Sequence, residues 1–212
     1  LGTNRVEAID LGKDSEAGDP VAPPRMSYGW PVPKGPMGLA VVGDTLFVWS
    51  QFDHRMTKID VKESMLSSYA VPRDVEMNDK VELGRTLFHA AGDARISSDG
   101  RACASCHPDG LSDGIGWATP EGRRKPMILA GRIGEGPFGW RGEHKTLHEH
   151  IAKTIVSHLH GTGLDTASMD ALSAYVKSLP GPPKDRAEIS DDVRRGKDLF
   201  ARGDTGCARC HN

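Results

Sequence analysis

All four cysteines of this chain fall in two pentapeptides, Cys103-Ala104-Ser105-Cys106-His107 and Cys207-Ala208-Arg209-Cys210-His211. No thiol is left over, and a histidine directly follows each pair. Cys-x-x-Cys-His is the pattern of covalent c-type haem attachment. Two intervening residues let one helical turn present both thiols to the porphyrin vinyl groups, and the next residue supplies the proximal nitrogen to iron. A zinc knuckle or a redox dithiol also uses Cys-x-x-Cys. Neither requires His after both pairs, and these pairs stand over a hundred residues apart. Cys103, Cys106, His107, Cys207, Cys210 and His211 are therefore the candidate haem c sites, with His107 and His211 as iron ligands. Zinc stays open for a chain matured without haem. Attachment needs an oxidising, exported compartment, so the expected location is periplasmic, cell-surface or extracellular.

The residues ahead of each motif recur too. Val81-Glu82-Leu83-Gly84-Arg85-Thr86-Leu87-Phe88 matches Val193-Arg194-Arg195-Gly196-Lys197-Asp198-Leu199-Phe200, and the second copy is eight residues shorter between Phe and Cys. Each copy reads as a short amphipathic helix behind a polar cap, Asn78 or Asp79 in the first and Ser190 in the second. A haem-binding unit is duplicated. The second unit holds only its opening helix and motif, and the chain begins at Leu1 without an initiator Met, so it reads as a piece of a larger exported protein.

Composition narrows the function classes. With 27 Lys and Arg against 29 Asp and Glu the net charge is −2, which speaks against nucleic acid or an acidic lipid surface as partner. Apolar runs such as Leu39 to Val42 are far short of a membrane span. Twenty-five glycines and 14 prolines point to long loops between short elements.

After His107 comes a Gly-rich stretch, Asp109 to Gly142, containing Gly122-Arg123-Arg124-Lys125-Pro126-Met127 and Pro137-Phe138-Gly139-Trp140-Arg141-Gly142. Helices are expected from about Thr146 to Leu159 and, behind Asp165 as cap, from about Thr166 to Leu179, where Met169, Leu172, Val176 and Leu179 recur at helical spacing. Pro180-Gly181-Pro182-Pro183 ends the second as a linker.

From about residue 74 onward these features resemble the bacterial di-haem cytochrome c peroxidase family, which includes the di-haem enzymes of methylamine utilisation. Ser97-Ser98-Asp99-Gly100 ahead of Cys103 fits its S-x-D-G pattern, Phe138-Gly139-Trp140-Arg141-Gly142 fits F-W-D-G-R loosely, and Leu147-His148-Glu149-His150 fits L-E-E-Q in position. The resemblance implies a peroxide-reacting haem in the first unit, an electron-entry haem in the second, and Trp140 as an electron bridge between them; an ordinary packed aromatic is the other reading of Trp140. This chain departs from the family at the distal pocket. The family's Gln falls on His150, its distal Glu on His160, and the next acid downstream is Asp165. A histidine at the Gln position can bind iron and close the site that peroxide needs.

Five histidines compete for that role: His144, His148, His150, His158 and His160. At about 100° per residue the stripe Leu147, Ile151, Ile155, Leu159 spans about 0° to about 120°. His158 (about 20°) and His148 (about 100°) fall on it, and His150 (about −60°) on its flank. Periodicity favours His158 or His148, whereas the family position favours His150; Met127 is a further candidate. His54 and His89 read as surface or core residues.

Residues 1–71 differ in kind. Leu39 to Ser50 reads as strand, Gly43-Asp44 turn and strand, followed by Met56-Thr57-Lys58-Ile59-Asp60-Val61. Val6-Glu7-Ala8-Ile9-Asp10-Leu11 echoes that last string 50 residues earlier. Such repeats resemble blades of seven-bladed surface propellers; an unrelated β extension is the alternative.

The expected architecture is therefore mainly α: a β segment over 1–71, a first cytochrome c-like domain over 74–181 with long Gly-rich loops, and a truncated second one over 185–212. The expected function is electron transfer between c-type haems and an unidentified redox partner protein. An active peroxidase is the enzyme-class rival, and a surface propeller binding module with accessory haems is the third reading.

Overall fold

The computed structural model describes residues 2–10, 25–73, 77–134, 136–181, 183 and 190–209. It divides into two units, Leu1–Gly181 and Pro182–Asn212.

The first unit opens with strands. β1 (Arg5–Asp10) pairs antiparallel with β2 (Arg25–Pro31), placing Val6 opposite Trp30. β3 (Pro36–Val42), β4 (Thr45–Ser50), β5 (Arg55–Asp60) and β6 (Met65–Ala70) then form a four-stranded antiparallel meander. The Gly43-Asp44 turn closes β3 on β4 with Val42 opposite Thr45, and Gly43 takes the left-handed φ of 56° that the turn needs. Alternation along the strands sends Val48 and Ile59 to one face, where they bury against Trp30 and Val32. The opposite face carries Phe47, Trp49, Met56 and Tyr69, and Tyr69 is 59% exposed. Leu11, the last residue of the Val6 string, lies outside the described residues.

The strands meet the helices at Phe52. Arg85 stacks its guanidinium 4.6 Å from the Phe52 ring centre, His89 lies 5.0 Å from it, and Arg73 donates to the Phe52 carbonyl at 2.9 Å.

α1 (Asp79–Phe88) starts at Asn78, whose side chain accepts from the Lys80 N–H. Asp79 and Glu82 in its first turn suit the positive end of the helix dipole. It packs against α4 (Thr166–Ser178), which is capped by Asp165 accepting from the Ser168 N–H. Leu87, Phe88, Ile96, Leu159, Leu172 and Val176 form the core between them. Between these helices come α2 (Cys103–Cys106), a small hairpin of β7 (Trp117–Thr119) and β8 (Gly122–Arg124), and α3 (Leu147–Lys153). Thr146 and Glu149 cap α3 reciprocally, each side chain taking the other's backbone N–H at 3.2 Å.

α3 does not run on as a regular helix. Thr154–His158 is a π turn, with the Leu159 N–H bonded to the Thr154 carbonyl at 3.0 Å. Apolar residues every fourth position creep about 40° per step on a regular helix. The wider turn winds less per residue and cancels that creep, so Leu147, Ile155 and Leu159 all end up buried.

In the second unit, α5 (Asp191–Ala201) begins at Ser190, which accepts from the Val193 N–H, and every position of it is solvent-exposed. Arg194 pairs with Asp191 and Arg195 with Asp192 along its surface. A short turn, Cys207–Arg209, follows.

The expectation of a mainly α protein is wrong. Among the described residues helix accounts for 31% and strand for 25%. The motif helices are short, six strands precede them, and β7–β8 adds a hairpin within the Gly-rich stretch expected to be loop. The class is mixed α and β.

Candidate functional site

α2 is a single turn presenting Cys103 and Cys106, and the His107 N–H closes it on the Cys103 carbonyl at 2.9 Å. Both cysteines are free thiols. Burial pushes the Cys103 thiol up to about 12 and raises that of Cys106. Thiols held protonated are poor redox nucleophiles, which counts against a dithiol role for this pair. Ser97, Asp99 and Arg101 brace the entry to α2: Ser97 Oγ donates to Asp99 at 2.7 Å, and Arg101 Nη2 pairs with the same carboxylate at 2.7 Å. Arg101 holds Asp99 far below the usual carboxylate range.

His107 Nδ1 donates to the Leu111 carbonyl at 3.1 Å. That bond selects the tautomer whose lone pair sits on Nε2, the arrangement of a metal-binding imidazole. Burial lowers the His107 pKa and keeps the ring neutral, with the Leu111 and Met127 carbonyls opposing. Behind it, Gly110 has φ of 74°, and its carbonyl accepts from the Leu129 and Ala130 N–H groups. That left-handed φ favours glycine, and a Cβ added there would also press on the Leu179 methyl at 2.8 Å.

Two cavities, about 370 and 300 Å³, share a wall that includes Cys106, His107, Met127, His150 and Thr154. The smaller is apolar and holds Cys103, with Phe88, Ile155, Leu172 and Val176 around it. The larger is lined by Arg101, Arg124, Lys125, Arg141 and Lys153 besides Trp117 and Trp140.

The structure separates the candidate sixth ligands. His150 borders both cavities together with His107. Its Nδ1 is buried without a hydrogen-bond partner, and burial lowers its pKa, helped by neighbouring His144. Thr154 Oγ1 donates to the His150 carbonyl at 2.9 Å and anchors that residue's backbone. His158 borders only the larger cavity, where its Nε2 lies 3.0 Å from Glu121 Oε2. His148 instead meets Asp170 of α4 at 3.3 Å. His144 pairs its backbone with Phe138, and its ring centre lies 5.4 Å from that of His150. His160 takes a positive φ and bridges to Ser97. Met127 borders both cavities and is 42% exposed. Trp140 edges the larger cavity, 55% exposed, with the Arg124 guanidinium 5.9 Å from its ring centre. Cys207 is a free, exposed thiol, and Cys210 and His211 lie outside the described residues.

Sequence reasoning missed Glu121. It sits in the turn of the β7–β8 hairpin and takes Lys153 Nζ at 2.5 Å as well as His158. The Lys153 hydrogen bond first, then its own backbone N–H and the nearby His158, carry its pKa down to about 2 against the opposing cost of burial. The signal was present as Pro120-Glu121-Gly122, a turn between Trp117-Ala118-Thr119 and the arginines. Trp117, whose Nε1 donates to Asp113 at 2.8 Å under the Arg101 guanidinium, was missed for the same reason.

Two thiols on one turn, a neutral imidazole whose Nδ1 is held by the Leu111 carbonyl, a second imidazole on the wall the two cavities share, and a lining apolar around Cys103 and cationic around Arg124, Lys125 and Arg141 suit an amphiphilic iron porphyrin. Among the described residues, no group of three or more His, Cys, Asp or Glu is arranged to hold a bare metal ion, so the zinc alternative finds no site there. Likewise no helix among them is long and apolar enough to cross a membrane.

Residues 78–187 match the di-haem cytochrome c peroxidase family. No curated protein matches the chain. Among solved structures it is similar to a chain of Kuenenia stuttgartiensis hydrazine synthase, at 22% identity and a TM-score of 0.49, over 66% of this chain and 50% of that one. It thus spans about half the length of that relative. With the family matched across more than half of its residues, the chain belongs to the di-haem cytochrome c peroxidase family.

Proposed function

We propose that this chain is an electron-transferring member of the family, with one haem c held by Cys103 and Cys106 between His107 and His150. The observation that carries this reading is that His107 and His150 border both cavities together, whereas His158 borders only the larger. Haem bound there would supply one-electron chemistry. The chain's part is to hold the ring and set its environment. The Leu111 carbonyl fixes the His107 tautomer, Thr154 anchors His150, and the apolar cavity keeps water from the vinyl edge. Were His107 and His150 both to hold the iron, peroxide would find no open site, which favours electron transfer over peroxidase turnover.

The second motif, Cys207, Cys210 and His211, would take a second haem c, with Trp140 on the electron path and a separate redox protein as partner. Maturation outside the cytoplasm, in the periplasm or at the cell surface, goes with covalent attachment. We read β3–β6 as one propeller-type blade, supported by its four-stranded meander and by β1–β2 covering one face.

The test is the visible spectrum of the haem-loaded chain. A low-spin, six-coordinate spectrum that becomes high-spin in His150→Ala, and stays low-spin in His158→Ala and Met127→Ala, supports the reading. A high-spin parent that turns over hydrogen peroxide overturns it in favour of a peroxidase.

A further inference from the structure

The charges lining the larger cavity do not cancel. Two of its five cations are already engaged: Lys153 pairs with Glu121 at 2.5 Å and Arg101 with Asp99 at 2.7 Å. Arg124, Lys125 and Arg141 remain, and among the described residues none of them has an ion-pair partner. The Arg124 guanidinium donates to the Arg123 carbonyl at 3.0 Å and rests over Trp140. The one other carboxylate in the lining, Glu143, turns to backbone and accepts the Arg141 N–H at 2.8 Å. Three cations against one carboxylate leave a surplus of two positive charges at one end of the site. Cys103 lies in the smaller cavity, whose lining is mostly apolar and carries one cation, the exposed Arg132.

A haem has the same polarity. Its vinyl edge is apolar and reacts with thiols, and its far edge bears two carboxylates. The geometry points to Arg124, Lys125 and Arg141 as a cradle for those two carboxylates, which fixes the ring's orientation and raises its potential by neutralising the propionates. This rests on the haem reading above. Arg suits a carboxylate through its planar fork, and Lys as a point charge. Lys125 and Arg141 are exposed, so the cradle weakens with salt.

The experiment uses the haem-loaded full chain in a Cys207→Ala, Cys210→Ala background, so that only the first motif carries haem. The midpoint potential is followed from about pH 5 to 8, where an ionised propionate released from its cations would begin to take up a proton on reduction. Lys125→Gln with Arg141→Gln should lower the potential at the alkaline end and steepen its rise toward acid. Lys125→Arg with Arg141→Lys should follow the parent. The difference between the Gln variant and the parent should shrink as ionic strength rises. A Gln variant that tracks the parent in level and slope overturns the cradle and leaves the haem reading standing. A parent with no covalent haem by its haemochrome spectrum overturns the haem reading itself.

Discussion

Gly84 of α1 lies so close to the Ala171 carbonyl of α4 that a Cβ there would come within 2.0 Å of the oxygen. The two helices meet at this glycine, and the smaller cavity is built against their shared core at Phe88, Leu172 and Val176. Gly196, its counterpart in α5, faces open space, and a Cβ added there would meet nothing within 4 Å. Gly84→Ala should therefore cost about 1–3 kcal/mol by forcing the helices apart. Gly196→Ala should strengthen α5 by about 0.5–1 kcal/mol through lower backbone entropy. Urea midpoints for the first and helix content by circular dichroism for the second check the pair; equal losses would contradict the packing difference.

His89 packs its ring against Phe52, Phe88 and Tyr175, and Nδ1 meets the Arg85 carbonyl at 2.8 Å. Burial lowers its pKa, with the Arg85 carbonyl opposing. The folded state then binds fewer protons than the unfolded one. Its stabilising contribution is full above the ordinary histidine value of about 6.5 and is lost as pH falls through the depressed folded value. Melting temperature should drop on acidification from about pH 7 to 5, and less steeply in His89→Gln. Identical slopes would remove His89 as the cause.

Thr154→Val keeps the side-chain shape and deletes the 2.9 Å bond to the His150 carbonyl. The expected loss is about 0.5–1.5 kcal/mol. In the haem-loaded chain the low-spin spectrum should persist at room temperature but give way to high-spin at a lower temperature than in the parent. Unchanged spectra at every temperature would show that the hydroxyl does not help position His150.

Glu121→Gln breaks the contacts to Lys153 and His158. These groups sit at the surface, so the melting shift should be small and should vanish in high salt. Because the Glu121 pKa is lowered, whatever it adds is present above the usual glutamate value and disappears as pH falls through about 2. A large, salt-independent loss would mean that the hairpin, rather than the ion pairs, depends on this residue.

Much of this was legible in the residues alone. Asn78, Thr146, Asp165 and Ser190 announce four helix starts because a short polar side chain can satisfy a free N–H there. The Gly43-Asp44 turn places β3 against β4. What was not legible depends on contacts distant in sequence. The angular count that set His158 and His148 on the buried stripe assumed regular winding, and the π turn removes that assumption. Glu121 reaches Lys153 and His158 only because the hairpin folds back across 32 and 37 positions. The mixed class was hidden because motif helices carry strong signals, whereas six-residue strands carry weak ones.

The π turn from Thr154 to His158 also makes this stretch tolerant of a one-residue change in chain length. Val156 within it is 53% exposed, so its side chain tolerates replacement. Deleting it would restore regular winding and leave Leu159 at about its present angle to His150, because one wide turn absorbs the ~100° of one residue. The wide turn thus takes up one surplus residue while the imidazole's helix and the buried core stay in register, and a one-codon deletion there should do less damage than one elsewhere in α3.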